Sequence, residues 1–300
     1  MTTSDSKPHG SPHVSPRTLI FGCGYLGRRV AKQALNAGHR VWATTRNIEK
    51  KGPLTQLGIE PILADWTDRR TLCRLPDVDQ ILVAVSYDRH SNQSRLESQV
   101  GGLRNLLEFT PPQTKVCYIS TTGVYHQTGG VWVDETSPTR PSREGGKVHL
   151  MAEELLHRTR PKSDWTVLRL AGIYGPGRVP RAADVIAGRP ISSPKDGFLN
   201  LIHVDDAAEA VLATWRGAAR RMYVIADDRP SQRSEFYREI ARQCRAADPQ
   251  FVAPDVDAPA RMRSESNKRV WNRRMKRELV PRLRYPTYRE GLTRILRAET

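Results

Sequence analysis

From Arg17 onward, short apolar runs alternate with stretches in which apolar residues recur every three or four positions. The runs are TLIFG from Thr18, RVWATT from Arg40, IEPILA from Ile59, DQILVAV from Asp79, KVCYIS from Lys115 and DWTVLRL from Asp164. Each is strand length and rich in β-branched residues, whereas Leu26–Asn36, Gln93–Phe109 and Lys147–Arg158 carry helical spacing. Strands that alternate with helices must be parallel, because a crossover helix returns the chain to the same edge of the sheet, and such a sheet is covered on both faces. The pattern therefore predicts a doubly wound α/β fold with six strands.

After Ala171 the rhythm changes to loops containing Gly175, Pro176, Gly177, Pro180, Pro190 and Pro194. A helix over Asp206–Trp215, a strand RMYVIA from Arg221 and a helix after Ser231 follow, all read as a smaller lobe. In PTYREGLTRILRAE, Pro286 opens a last helix whose Tyr288, Leu292 and Ile295 share one face. Residues 1–16 combine Pro, Ser, Gly and His without apolar periodicity and are expected to be a loose tail.

No run approaches the roughly 20 apolar residues that span a bilayer, and the opening MTTSDSKPHGSPHVSP has no apolar signal core. A soluble, cytoplasmic protein is expected. Cys23, Cys73, Cys117 and Cys244 lie too far apart in sequence for a paired metal site and read as reduced, mostly buried thiols. The net charge of +16 raises the question of nucleic acid, but half of it falls in one segment. Arg261–Arg284 holds ten basic residues against two acidic ones, with Val270, Trp271, Met275, Leu279 and Val280 near helical spacing. That reads as an amphipathic helix with arginines turned to water rather than as a nucleic-acid surface.

Gly22, Gly24 and Gly27 stand in GxGxxG spacing directly after the first strand and at the start of a helix. In a Rossmann-type dinucleotide fold the first glycine makes the tight turn, the second lets backbone approach a pyrophosphate, and the third lets helix and strand pack closely. The helix amino end then offers free N–H groups to phosphate. Residues 17–172 are thus read as the dinucleotide-binding domain, and 173–300 as a smaller C-terminal substrate lobe partly interleaved with its sheet. Where an NAD site places Asp or Glu at the end of the second strand, this chain has Thr45 and Arg46. A guanidinium there suits the 2′-phosphate of NADP, so NADP is the expected cofactor, with NAD as the alternative.

Five segments, in order, carry a resemblance: GCGYLG from Gly22, the Ala64–Asp65 pair, ISTTGVYH from Ile119, RLAGIYGPG from Arg169 and NLIHVDD from Asn200. Together they resemble the extended short-chain dehydrogenase/reductases, the group of sugar-nucleotide epimerases, dehydratases and related reductases. The resemblance implies that Tyr25 and Leu26 belong to the phosphate loop, that Asp65 and Trp66 lie beside the adenine, and that Val83, Ala84 and Val85 line the cofactor groove. It implies a hydrogen bond from Thr121 to the reacting oxygen, a turn at Tyr174–Gly177 beside the nicotinamide, and anchoring of the lobe by His203, Asp205 and Asp206.

The departure lies in the catalytic pair. The family uses Tyr-x-x-x-Lys at the start of the helix after the fifth strand. If Lys147 is the lysine, the tyrosine position is Arg143; if the helix is aligned on AEELL from Ala152, the positions are Gly145 and His149. Both registers lose the tyrosine. Arginine keeps its proton at any relevant pH and glycine offers no chemistry. Two readings follow: an atypical enzyme of oxidoreductase or epimerase/dehydratase type acting on a carbonyl or nucleotide-sugar-like small molecule, with Thr121, Thr122, Tyr125, His126, Lys147 and His149 near enough in sequence to supply the proton and Thr121 and Lys147 as its catalytic candidates, or a cofactor-binding sensor that lost the chemistry. Arg89, Arg95, Arg140, Arg143, Arg178 and Arg181 favour an anionic substrate.

Overall fold

The computed structural model describes residues 15–217, 220–253 and 267–297. At its centre seven parallel strands form one sheet: β1 (Arg17–Phe21), β2 (Arg40–Thr45), β3 (Glu60–Leu63), β4 (Gln80–Val83), β5 (Lys115–Thr121), β6 (Trp165–Leu170) and β7 (Arg221–Ile225). Their order is β7-β6-β5-β4-β1-β2-β3. The chain winds outward in both directions from the β1/β4 neighbours, and the point of reversal leaves a crevice at the carboxyl ends of those strands. Register places Phe21 beside Val83, Val83 beside Tyr118, and Thr121 beside Leu170.

The central strands are apolar on both faces because both are covered. All six residues of β6 and all four of β4 are buried. Alternate residues feed two cores. On one face Ile20, Leu82, Cys117, Leu168 and Val224 pack against α1 (Tyr25–Asn36) and, from the lobe side, α4 (Val204–Gly217). On the other, Leu19, Phe21, Ile81, Val83, Tyr118 and Val167 pack against α2 (Gly102–Glu108, entered through a π-helical turn at Glu97–Gly101) and α3 (Glu144–Thr159). A third core joins Tyr174, Ile191 and Leu201 to α5 (Arg233–Cys244) and α6 (Tyr288–Leu296). Thr287 caps α6 with Glu290 in a reciprocal capping box, and Tyr288, Leu292 and Ile295 face inward as the spacing predicts.

Three expectations change. The strand read as part of the smaller lobe, Arg221–Ile225, is the seventh strand of the central sheet, paired along its length with β6. The sequence run alone cannot say which edge it joins. The basic segment is not one helix: Lys268–Val270 is a strand paired with Val131–Val133, and a separate six-residue helix spans Arg273–Glu278. Val270, Met275, Leu279 and Val280 are nonetheless buried, so the apolar spacing marks a core-facing stripe across two elements. Of the cysteines only Cys117 is buried; Cys23 and Cys244 are half-buried and Cys73 is exposed. Residues 1–14 of the expected tail and 261–266 of the basic segment lie outside the described residues. Among the described residues no helix is long and apolar enough to cross a membrane, and no group of three His, Cys, Asp or Glu side chains converges on a metal site.

Candidate functional site

At the carboxyl ends of β1, β2 and β4 lies a cleft of about 530 Å³. The glycine loop forms its floor, and each glycine has a distinct reason to be there. Gly22 holds φ at +98°, and a Cβ on it would stand 2.6 Å from the backbone of Ala84. A Cβ on Gly27 would stand 2.5 Å from the Gly22 carbonyl oxygen, so only glycine lets α1 sit this close to the loop. A Cβ on Gly24 would meet nothing within 4 Å: its space opens outward. Gly24 is the residue before α1 and no side chain caps that helix, which leaves its amino-terminal N–H groups aimed into the cleft. The buried Thr44 Oγ1 accepts the Gly22 N–H at 3.3 Å and ties the loop to β2. A loop closed against its neighbours at two glycines and open at the third fits a dinucleotide pyrophosphate.

Gly22, Gly24, Thr45, Arg46, Asp65, Trp66, Ala84 and Val85 line the cleft, together with Arg28, Lys50 and Asp88. Tyr25, Leu26, Gly27 and Val83 do not. Leu26 and Val83 are core residues. The Tyr25 hydroxyl donates to the Pro176 carbonyl at 3.1 Å, and its ring lies under the Arg178 guanidinium, which joins the glycine loop to the turn after Tyr174. Trp66 is buried, stacked on Phe21, with its ring against Gly102. Asp65 accepts from the Thr67 N–H and hydroxyl through Oδ1, holding the turn after β3, and its Oδ2 lies 4.0 Å from Arg46. Arg46 in turn donates to Asp88 at 2.9 Å. The backbone of His90 and the Arg46 side chain hold the Asp88 carboxyl below its usual range.

At the other end, Thr121 closes β5 and its hydroxyl oxygen accepts the Gly123 N–H at 3.0 Å. The Arg143 guanidinium lies beside the same turn. Lys147 is exposed on α3 and lines neither the cleft nor its neighbour. His149, two residues on, lines a second hollow of about 310 Å³ that shares Ala84, Val85 and Ser86 with the cleft. Its Nδ1 is 2.9 Å from the Tyr118 hydroxyl, and burial pushes it down to about 4 although Glu153 pulls the other way, so the imidazole is neutral at pH 7. Gly145 sits next to the Arg95 guanidinium.

Beneath this end runs a buried polar network that sequence reasoning missed. Arg169 of β6 donates to Glu153 of α3 through Nε at 3.1 Å and Nη2 at 2.6 Å, Ser120 adds a hydroxyl at 2.5 Å, and Arg169 Nη1 donates to the Tyr125 hydroxyl at 2.8 Å. Tyr125 is therefore a core residue, and burial pushes its phenol up to about 12 against the pull of Arg169. The only signal in sequence was that Arg169 falls in an otherwise apolar strand. The NLIHVDD segment fastens the distal chain. His203 is buried against Tyr285 at 3.8 Å between ring centres, and the Asp206 carboxylate accepts the backbone N–H groups of Arg284 and Tyr285 at 2.7 and 2.9 Å.

Residues 18–226 match the model of the NAD dependent epimerase/dehydratase family. The chain belongs to that family. Protein YeeZ of Escherichia coli strain K12 is 27% identical over 243 residues, which cover 78% of this chain and 86% of YeeZ. A functionally unknown conserved protein from Silicibacter pomeroyi DSS is 30% identical, with a TM-score of 0.77 over 95% of this chain and all of that one. The UDP-glucose 4-epimerase of Thermotoga maritima, solved with UDP-glucose, shares the fold at 17% identity, with a TM-score of 0.79 over 94% of this chain and 97% of that one. Membership accounts for the seven-stranded sheet and the glycine loop. Against this family background, positions 143 and 145 carry arginine and glycine, and the tyrosines of β5 and its following turn, Tyr118 and Tyr125, are committed to His149 and Arg169.

Proposed function

We propose that this family member holds NADP(H) in the cleft and acts as an oxidoreductase or epimerase/dehydratase-like enzyme on a carbonyl or alcohol of an anionic small molecule. The observation that carries the reading is the cleft itself. Gly24 leaves open space at the start of α1, and the three cations Arg28, Arg46 and Lys50 outnumber the carboxylates Asp65 and Asp88 along its lining. A lining with one more cation than carboxylates suits a ligand with a pyrophosphate and a third phosphate. On this reading Arg46, which follows β2, grips the 2′-phosphate, and Thr45 is fixed beside it through its hydrogen bonds to Asn47.

When bound, the nicotinamide supplies or accepts the hydride. The chain's own part is to orient and to manage the proton. Thr121 offers a hydroxyl at the end of β5, and His149, neutral and held by Tyr118, is the α3 side chain that faces the β4 end.

A second reading is a cofactor-binding sensor, favoured by the absence of a phenol at positions 143 and 145. Purified protein would be titrated with NADPH and NADH, and followed at 340 nm with carbonyl and nucleotide-sugar substrates. Binding with turnover supports the enzyme, binding without turnover the sensor, and failure of NADPH to bind defeats both.

A further inference from the structure

The hollow beside the cleft has a lining of unusual composition. It includes two guanidiniums, Arg89 and Arg95, together with Gln99 and His149, and no carboxylate. Arg95 is built into its wall. Its side chain is 20% exposed and lies over the Tyr87 ring at 4.4 Å. Its Nε is buried and, among the described residues, makes no hydrogen bond. That same Nε faces Glu144 Oε2 at 3.5 Å, an ion pair without hydrogen-bond geometry to a side chain that is 68% exposed, where water screens it. Gln99 is 3% exposed and donates to the Val85 carbonyl at 3.3 Å, while its Oε1 has no partner among the described residues.

A buried donor left unmade costs about 1–3 kcal/mol, more when charged. An oxyanion repays that cost, because the guanidinium fork matches carboxylate or phosphate oxygens in pairs. Gln99 Oε1 can only accept, so it asks for a ligand hydroxyl. Gly145 leaves room beside the guanidinium: a Cβ there would meet Arg95 Nη1 at 3.7 Å, ordinary van der Waals contact, and a side chain reaching further would compete for the same space.

We propose that this hollow is an anion subsite, in which Arg95, assisted by Arg89, holds the carboxylate or phosphate of a hydroxyl-bearing substrate. At about 310 Å³ against about 530 Å³ for the cleft, it is the smaller of the two spaces. The shared wall of Ala84, Val85 and Ser86 sets the anion next to the dinucleotide cleft. The inference rests on the cofactor reading only for what the anion does there, and not for its binding.

The test is calorimetric titration of the full chain with oxalate and, separately, inorganic phosphate, each with and without saturating NADPH. Binding of either, retained when NADPH is present, is expected; oxalate alone indicates a carboxylate substrate and phosphate alone a phosphate ester. Arg95→Gln should weaken that binding at least tenfold, with Arg95→Lys intermediate and NADPH affinity changed less than twofold. Gly145→Tyr, which fills the space beside the guanidinium without touching its charge, should weaken it similarly. Absence of binding by both anions, unchanged binding in Arg95→Gln and Gly145→Tyr, or displacement by NADPH would each overturn the proposal, the last by assigning the anion to the dinucleotide's own phosphates. If the anion binds and NADPH does not, the cofactor reading fails and the subsite stands.

Discussion

Arg46, at the end of β2, and Asp88, in the loop after β4, close a 2.9 Å ion pair across the mouth of the cleft. A ligand phosphate on Arg46 competes with that carboxylate. NADPH is expected to bind more tightly than NADH, and Arg46→Ala to remove most of the difference, about 1.5–3 kcal/mol for a charge-assisted contact. Asp88→Asn should strengthen NADPH binding severalfold and leave NADH nearly unchanged. Equal affinities for the two nucleotides in the parent protein would sink the assignment.

Gly24 and Gly22 should respond differently to substitution. Gly24→Val places its side chain in open space, so the protein should keep its melting temperature within a few degrees and lose dinucleotide binding. Gly22→Ala forces a Cβ onto the Ala84 backbone at positive φ and should destabilise by several kcal/mol. Thermal melts with and without NADPH separate the two; retained binding in Gly24→Val would mean that the loop is only a turn.

Glu153 is the counter-charge of a guanidinium buried in the sheet. Burial opposes the charge on Arg169, and the Glu153 carboxylate more than offsets that opposition, so its pKa is raised. Glu153→Ala leaves the cation uncompensated and should cost about 3–5 kcal/mol, whereas double replacement by apolar residues of similar volume should cost less. Denaturant midpoints of the single and double variants decide this; a single variant as stable as the parent contradicts the buried pair.

His149 should stay neutral down to about pH 4. Its folded pKa lies below the unfolded value of about 6.5, so the unfolded chain takes up the proton first as pH falls. This residue's contribution is fully present above about pH 6.5 and is lost between there and about 4, each pH step of one across that window removing about 1.4 kcal/mol. Parent and His149→Gln melts should therefore diverge across that window. An NMR titration of the ring protons inflecting near 6.5 would refute it.

Lys147 and His149 compete for one role. If the α3 side chain that supports the nicotinamide ribose is at 149, Lys147→Ala leaves NADPH affinity unchanged and His149→Ala lowers it; the reverse result restores the Arg143/Lys147 register. Slow but measurable turnover is expected in the parent if no other general acid replaces the phenol missing at positions 143 and 145, since lack of one typically costs about 10²–10⁴-fold. Rates of roughly 1–10³ s⁻¹ on carbonyl or nucleotide-sugar substrates would show that another group has taken the tyrosine's place.

The sheet and the glycine loop were legible because their constraints are local: an apolar run reads as a buried strand, and GxGxxG between strand and helix has one steric meaning. The place of Arg221–Ile225 was not, because joining β6 is a long-range choice no five-residue run encodes. Val270 to Val280 mislead for a related reason, since one buried stripe continues across a strand and a helix. By sequence Arg89 and Arg95 were two of six arginines read as favouring an anion; what separates Arg95 from the rest is its part-buried place over the Tyr87 ring in the wall of the hollow, a relation only the fold creates.

Asp206 takes its two N–H donors from Arg284 and Tyr285, and the fully buried Tyr174 lies against Gly291 with its hydroxyl toward the Thr287 carbonyl. During synthesis every strand of the sheet leaves the ribosome before residues 284–296 exist. Until they arrive, a buried carboxylate lacks its donors, and Tyr174, just before the turn that meets the glycine loop through Tyr25, lacks its packing partners at Thr287 and Gly291. The nascent chain thus spends some seconds, at the usual rate of about 5–20 residues per second, with its sheet complete and those partners still missing.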